Sequence, residues 1–103
     1  MVRLLVLYDK PSNEREFDRH YREVHIPLAK KLPGLRRYTI SRNGQGIRGE
    51  AHYLVAELDW DDMDALQKAF QSAEGQAAGQ DVTDHLSRLS PGIRSMAYPV
   101  EEV

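Results

Sequence analysis

The sequence contains no cysteine among its 103 residues. Disulfide bonds, thiolate nucleophiles, cysteine-ligated zinc and iron–sulfur clusters are therefore excluded. The sequence also has no large excess of charge of either sign. It contains 14 Lys and Arg and 16 Asp and Glu, and the formal net charge is −2. No broad basic surface follows from this balance, so we expect no nucleic-acid partner.

Long hydrophobic runs are absent as well. The longest, LLVLY at residues 4–8, is too short for a signal-peptide core and far short of the roughly 20 residues that span a bilayer. We therefore expect a cytoplasmic location and no membrane partner. With 41% hydrophobic and 29% charged residues, the composition is typical of a globular protein, and the length predicts one domain over residues 1–103.

Four segments have the pattern of β-strands. Residues 2–8 carry apolar side chains on both faces, which predicts a central strand. Residues 51–60, AHYLVAELDW, alternate apolar and polar positions and form the clearest strand pattern of the chain. Residues 35–41 are apolar on one face only, and residues 93–100 contain a proline, so both segments are predicted at sheet edges.

The first helical pattern follows residue 12. It is predicted to begin at a cap formed by Ser12 or Asn13 and to end at Pro33 and Gly34. Pro27 is predicted to kink or split the helix, because proline removes a backbone hydrogen bond. The predicted inward stripe consists of Phe17, Tyr21, Val24, Leu28 and Leu32.

A second helix is predicted after a cap at Asp61 or Asp62, and residues 72–92 are predicted to form a short helix and a mixed connection. The order of elements is therefore strand, helix, strand, strand, helix, strand. Right-handed crossovers place both helices on one face of a four-stranded antiparallel sheet with the first and third strands central. The predicted fold class is α+β, with the ferredoxin-like βαββαβ arrangement.

This architecture has a consequence for assembly. Helices on one face leave large side chains of the central strands uncovered on the other, and an exposed apolar sheet face favours aggregation. A second copy of the chain is the simplest cover. We therefore predict a homodimer that packs sheet against sheet about a two-fold axis.

Two segments carry a family resemblance: residues 17–41, FDRHYREVHIPLAKKLPGLRRYTIS, and residues 52–81. Together they resemble the EthD family, small proteins of the dimeric α+β barrel class, and the similarity extends from Leu4 to about Val100. The most specific element is H-Y-x-x-x-H-x-P-L, formed here by His20, Tyr21, His25, Pro27 and Leu28. The resemblance implies a dimeric α+β barrel with a cleft between helices and sheet in each protomer, and with this motif at or near it.

The resemblance leaves the reaction open. Members of the family are often labelled reductases, and relatives in the barrel class include cofactor-free monooxygenases, lactone isomerases, polyketide cyclases and haem proteins. We predict a small-molecule enzyme or enzyme component, reductase-like or monooxygenase-like, that oxidises, isomerises or dehydrates a hydrophobic oxygen-bearing compound without a bound cofactor. Two alternatives remain: a non-catalytic dimer that delivers an apolar ligand to a partner oxygenase, and a haem-binding barrel.

His25 is the predicted proton shuttle, because the ordinary pKa of histidine lies near neutrality and suits general acid–base catalysis. The alternative is that its ring bonds a backbone carbonyl freed beside Pro27. Tyr21 is predicted either to hold a substrate oxygen next to His25 or to fill the core. Both residues are assigned here as candidate catalytic residues.

Three further residues are candidate substrate-binding groups. His52 has the strand parity of Leu54, which predicts a place in the cleft wall. Tyr8 and Tyr38 are predicted to contact the substrate as well. No residue is assigned to a cofactor.

The other histidines are less informative. His20 and His25 lie five residues apart, and an α-helix turns ~100° per residue, so the two side chains would diverge by about 140°. No metal site is therefore predicted, and His20 is expected at the surface or at a dimer contact. His85 follows Asp81 and Asp84, which allows an Asp–His pair, a local cap or an exposed turn.

One motif is misleading. GQGIRG at residues 44–49 matches the dinucleotide fingerprint G-x-G-x-x-G letter for letter. That fingerprint requires a helix after the glycines, whereas a predicted strand follows here. The segment predicts a flexible hairpin loop and no nucleotide binding.

Overall fold

One antiparallel sheet of four strands organises the structure, a computed structural model that describes residues 1–103. The strands are β1 (Val2–Tyr8), β2 (Arg37–Arg42), β3 (Leu54–Trp60) and β4 (Arg94–Pro99), in the spatial order β2-β3-β1-β4. The two strands with the strongest apolar patterns are central, and the other two are edges. The predicted α+β, ferredoxin-like βαββαβ fold is confirmed.

The register of the sheet decides which side chains share a face. Leu4 lies opposite Leu58 and Val6 lies opposite Ala56 across β1 and β3. Tyr38 of β2 is also opposite Leu58. Because side chains directly opposite one another point to the same face, all of these residues face the helices.

The first helical segment consists of α1 (Glu14–His20), a π-helical turn (Tyr21–His25) and α2 (Ile26–Ala29). It begins as predicted at Asn13, whose side-chain oxygen accepts from the amide of Glu16 at 3.1 Å. Free amides at a helix start are satisfied in this way by a capping side chain.

Pro27 does not split this segment into separate helices. The chain changes to i→i+5 hydrogen bonding in the turn ahead of it, where the amide of Ile26 donates to the carbonyl of Tyr21, and then continues as α-helix. The segment ends at Ala29, earlier than predicted. Val24 is 40% exposed rather than buried, because the π-helical turn rotates it out of the inward stripe.

The second helical segment is longer than predicted. It consists of α3 (Met63–Gln71), α4 (Ala73–Asp81), a second π-helical turn (Val82–Leu86) and α5 (Ser87–Leu89). Gly75 lies inside α4 instead of in a connection. A methyl group there would collide with the backbone of α3, so glycine is what allows the two helices to pack this closely.

The core lies between the sheet and the helices. Its largest fully buried side chains are Trp60, Tyr8, Tyr21 and Phe17. The rings of Tyr8, Phe17 and Tyr21 pack against one another with centroids 5.4 to 5.8 Å apart. None of the helices is both long enough and apolar enough to cross a membrane.

The opposite face of the sheet carries no helix. Leu5 and Met96 lie opposite one another there on β1 and β4, and Met96 is 58% exposed. The same face also holds an ion pair, in which Arg3 Nε donates to Asp59 Oδ1 at 2.8 Å. The open face therefore carries apolar residues in its middle, with Arg3 and Asp59 towards one end and Arg94 towards the other.

Candidate active site

A cavity of about 230 Å³ lies between the helical layer and the sheet. Thirteen of its 16 lining residues are hydrophobic, so it suits an apolar molecule. Drug-sized ligands occupy pockets of roughly 300–1,000 Å³, which indicates a smaller ligand here. Its polar side chains are Tyr8, Tyr21, Tyr38, His25 and Ser95.

His25 reaches this cavity from the first π-helical turn, and its ring is fixed from behind by Asp81 at the end of α4. The His25 Nδ1 atom lies 2.9 Å from Asp81 Oδ2, and both residues are buried. Because an ionised carboxylate only accepts hydrogen bonds, Nδ1 carries the proton in this pair. In the neutral ring, protonation of Nδ1 leaves Nε2 unprotonated, with a free lone pair.

The Nε2 atom of His25 is available to a ligand. The only fully buried side-chain nitrogen or oxygen without a hydrogen-bond partner is Arg42 Nε. His25 Nε2 also has no partner, so it is not fully buried and is accessible from the cavity that the ring lines. Burial lowers the pKa of His25 from its ordinary value of 6.5, although the hydrogen bond to Asp81 opposes the shift. A neutral imidazole with a free lone pair is a base.

Two tyrosine hydroxyls lie together in the same cavity. Tyr21 Oη and Tyr38 Oη are 2.6 Å apart, and the Tyr21 and His25 rings are 5.2 Å apart. Burial raises the pKa of both hydroxyls, which keeps them protonated. Only one of the two hydrogens is used within the pair, so the other can be donated to a ligand oxygen.

Tyr8 completes the polar part of the lining. Its ring packs edge-on against Tyr21 at 5.6 Å, and burial raises the pKa of its hydroxyl too. Tyr8, Tyr21, Tyr38 and His25 are thus brought to one cavity from two strands and one helical segment.

His52 is not part of this cavity. The structure places it on the opposite face of the sheet, where its Nε2 lies 2.9 Å from Arg94. The expectation extended the parity of β3 backwards to residue 52, but β3 begins only at Leu54. The chain bends before that point and turns Tyr53 towards Phe17, with ring centroids 5.8 Å apart.

Asp81 binds two further histidines through its other oxygen. Asp81 Oδ1 lies 2.7 Å from His20 Nε2 and 3.2 Å from His85 Nδ1, and the His20 and His85 rings stack with centroids 4.8 Å apart. The expected divergence of His20 and His25 is wrong, because the helix between them is π-helical and its i→i+5 pattern aligns residues five apart. The Asp81–His85 pair is one of the arrangements that the spacing allowed.

Asp81 as the partner of His25 was not found from the sequence. The two residues are separated by 56 positions and meet only because the two helical segments pack side by side. The one local signal was the spacing of Asp81 and His85, four residues apart on the second segment.

Comparison with protein families gives a match to the EthD domain over residues 10–88. An uncharacterised 11.0 kDa protein in the thcB-thcC intergenic region of Rhodococcus erythropolis is 30% identical over 88 residues, which are 84% of this chain and 85% of that protein. The crystal structure of an EthD family protein from Bacillus halodurans is 35% identical, with a TM-score of 0.87 over 98% of this chain and 99% of that one.

More distant structures share the fold alone. SnoaB from Streptomyces nogalater, a cofactor-independent oxygenase, is 18% identical with a TM-score of 0.67, over 99% of this chain and 94% of that one. Ferredoxin-like proteins from Thermobifida fusca, Bacteroides fragilis and Jannaschia sp. are described as dimeric. In that order, their identities to this chain are 12%, 17% and 22%, and their TM-scores are 0.72, 0.65 and 0.69. Each match covers 96% of this chain, and 90%, 95% and 98% of the respective other chain.

Proposed function

The chain belongs to the EthD family, and from that premise we propose that it is a small-molecule enzyme or enzyme component in which His25 moves a proton on a hydrophobic, oxygen-bearing compound. One observation carries the proposal. His25 is held by Asp81 at 2.9 Å on one side, and on the other its ring lines an apolar cavity that also contains tyrosine hydroxyls.

The chemistry follows from these positions. A substrate oxygen accepts a hydrogen bond from the Tyr21–Tyr38 pair, and Nε2 of His25 removes a proton from the adjacent carbon or hydroxyl group. Charge that develops on the oxygen is stabilised by the tyrosine donor, in a cavity from which bulk water is largely displaced. The positive charge that develops on the imidazole is stabilised by Asp81.

Oxidation, isomerisation and dehydration of such a compound share this proton transfer as a step. SnoaB, a cofactor-independent oxygenase, has the same fold, which supports chemistry without a resident cofactor. The cavity is lined almost entirely by protein side chains of low polarity, which favours a compact aromatic or ether-like compound.

Ligand binding tests the cavity itself. Small aromatic and ether-like compounds that contain one oxygen are expected to raise the melting temperature of the protein, and a ligand present at 100 times its Kd stabilises by ~2.7 kcal/mol. Ala56→Leu adds three carbon atoms to the wall formed by β3 and is expected to weaken binding at least tenfold. Differential scanning fluorimetry with a compound series measures both effects.

Ala51→Leu is the matched control, because Ala51 is exposed ahead of β3 and the same change there leaves the cavity unaltered. Equal losses of binding in the two variants would place the ligand outside the cavity. Failure of every compound to stabilise the wild-type protein would contradict the proposed substrate class.

We also propose that two copies of the chain pack through the open sheet face. The apolar residues of that face are Leu5, Leu7, Val55 and Met96. An exposed apolar surface of this kind favours burial against an identical copy about a two-fold axis. The dimeric descriptions of the three ferredoxin-like relatives support the same arrangement.

The wild-type protein is accordingly expected at about twice the 11.8 kDa protomer mass. Met96→Glu places a charge in the proposed interface without disturbing the core, and it is expected to shift the protein to monomer. Val24→Glu makes the same kind of change on the helical side and should leave the dimer intact. Analytical ultracentrifugation at several concentrations measures the oligomeric state of the three proteins. A monomeric wild type, or dissociation caused by Val24→Glu and not by Met96→Glu, would refute the arrangement.

A further inference from the structure

A second cluster of titratable groups lies on the far side of Asp81 from the cavity. His20 from α1, Asp81 from α4 and His85 from the second π-helical turn each offer one ligand atom, and these atoms all lie within 4.8 Å of one another. Three different helical elements contribute, so the convergence is a product of the tertiary fold.

The carboxylate at this cluster has no permanently charged partner. Asp81 is buried, and its partners within 4.0 Å are three histidines, with no lysine or arginine among them. Burying a carboxylate is costly unless positive charge compensates it. Neutral imidazoles provide hydrogen bonds but no net charge, so the site is suited to a bound cation.

We propose that His20 Nε2, Asp81 Oδ1 and His85 Nδ1 bind a divalent transition metal ion of the zinc type. Two imidazoles and one carboxylate suit Zn²⁺ or its neighbours, whereas Mg²⁺ and Ca²⁺ prefer sites built from oxygen alone. Tetrahedral coordination with bonds of about 2.1 Å separates the ligand atoms by roughly 3.4 Å.

The two distances from Asp81 Oδ1 are close to that requirement, and the two histidine nitrogens lie within 4.8 Å of each other. His85 Nδ1 already lies 3.2 Å from Asp81 Oδ1, whereas His20 Nε2 at 2.7 Å must move outward. The His85 side chain is 59% exposed and is free to adjust. His20 and His85 also line a surface depression with Glu23, Asp84, Arg19 and Arg88, from which water would complete the coordination shell.

This site shares Asp81 with the proposed function but uses the other carboxylate oxygen. His25 binds Oδ2 at 2.9 Å, so both interactions are compatible. Metal binding can therefore be present in a protein whose cavity proves inactive, and can be absent from one whose cavity is catalytic.

Isothermal titration calorimetry of Zn²⁺ into untagged, chelator-treated protein tests the proposal. One Zn²⁺ per chain is expected, with no measurable heat of binding for Mg²⁺. His85→Ala is expected to weaken Zn²⁺ binding by about 100-fold or more, since loss of an outer-sphere partner alone costs about 10–100-fold. His52→Ala, on the other face of the sheet, is expected to bind like the wild type.

Folding is checked by the circular dichroism of the metal-free variants, and His85→Gln serves as a second variant if His85→Ala is unstable. Co²⁺ gives an independent signal. Its visible absorption is expected to reach full intensity at one equivalent in the wild type and to be absent in the His85 variants. Absence of stoichiometric Zn²⁺ binding, or equal affinities in wild type and His85→Ala, would overturn the site and assign the compensating charge to a proton instead.

Discussion

A His25→Gln variant is expected to transfer a proton from a bound ligand about 10²- to 10⁴-fold more slowly than the wild type, which is the usual contribution of a positioned general base. Glutamine keeps a polar side chain of similar length that can still bond to Asp81. It cannot accept and hold a proton at neutral pH, so only the chemical step is removed.

The measurement does not require the natural substrate. A compound identified by thermal stabilisation, with an acidic hydrogen next to its oxygen, is incubated with the protein in D₂O, and NMR follows the exchange of that hydrogen for deuterium. Affinity for the compound is expected to change less than tenfold in His25→Gln, because most of the contact area is apolar.

His52→Gln is the matched control, since it makes the same chemical change on the opposite face of the sheet and should exchange at the wild-type rate. Wild-type protein that binds the compound without accelerating exchange would favour the alternative of a non-catalytic ligand-binding dimer. Undiminished exchange in His25→Gln would remove His25 from the reaction.

Trp60→Ala is expected to lower the free energy of unfolding by about 3–5 kcal/mol, the range for deletion of a large buried aromatic side chain. Trp60 is completely buried at the end of β3. Its indole Nε1 donates to the carbonyl of Pro33 at 2.9 Å, and its ring packs against Phe70 with centroids 5.7 Å apart. The substitution leaves both a cavity and an unsatisfied carbonyl.

Loss of the Trp60 ring also affects the candidate active site, because Phe70 lines the ligand cavity and packs against that ring. Urea unfolding followed by circular dichroism at a fixed protomer concentration measures the change. Trp60→Phe keeps most of the packing and loses only the hydrogen bond, so its cost is expected to be clearly smaller. A loss below about 1 kcal/mol for Trp60→Ala would show that the end of β3 contributes little to the core.

The strands were predictable because their signal is local. Apolar residues on both faces placed β1 in the centre of the sheet, and the one-sided pattern around Tyr38 placed β2 at an edge. The caps at Asn13 and Asp62 were predictable for the same reason, since a capping side chain bonds an amide three residues on. The helical segments were harder, because Pro27 and Gly75 read as breaks, whereas packing retains both within helices.

The site was predictable only in part. Pattern and family resemblance selected His25 and three tyrosines that line one cavity. The partner of His25, Asp81, belongs to another helical segment and is brought to His25 only by tertiary packing. The expectation for His52 failed at a single bend of the backbone before Leu54. Strand parity holds only where the chain is extended, and no residue in that stretch marks where the extension begins.

The turn Tyr21–His25 has a consequence for the spacing of the two histidines of the motif. Five positions separate them, and the wider winding of this turn is what brings both rings to one carboxylate. A chain shorter by one residue there would close into ordinary α-helical turns and swing everything on its amino-terminal side about 100° around the axis. Chain length between the histidines is thus as much a determinant of the cluster as the side chains themselves, and a helical wheel drawn with uniform winding conceals it.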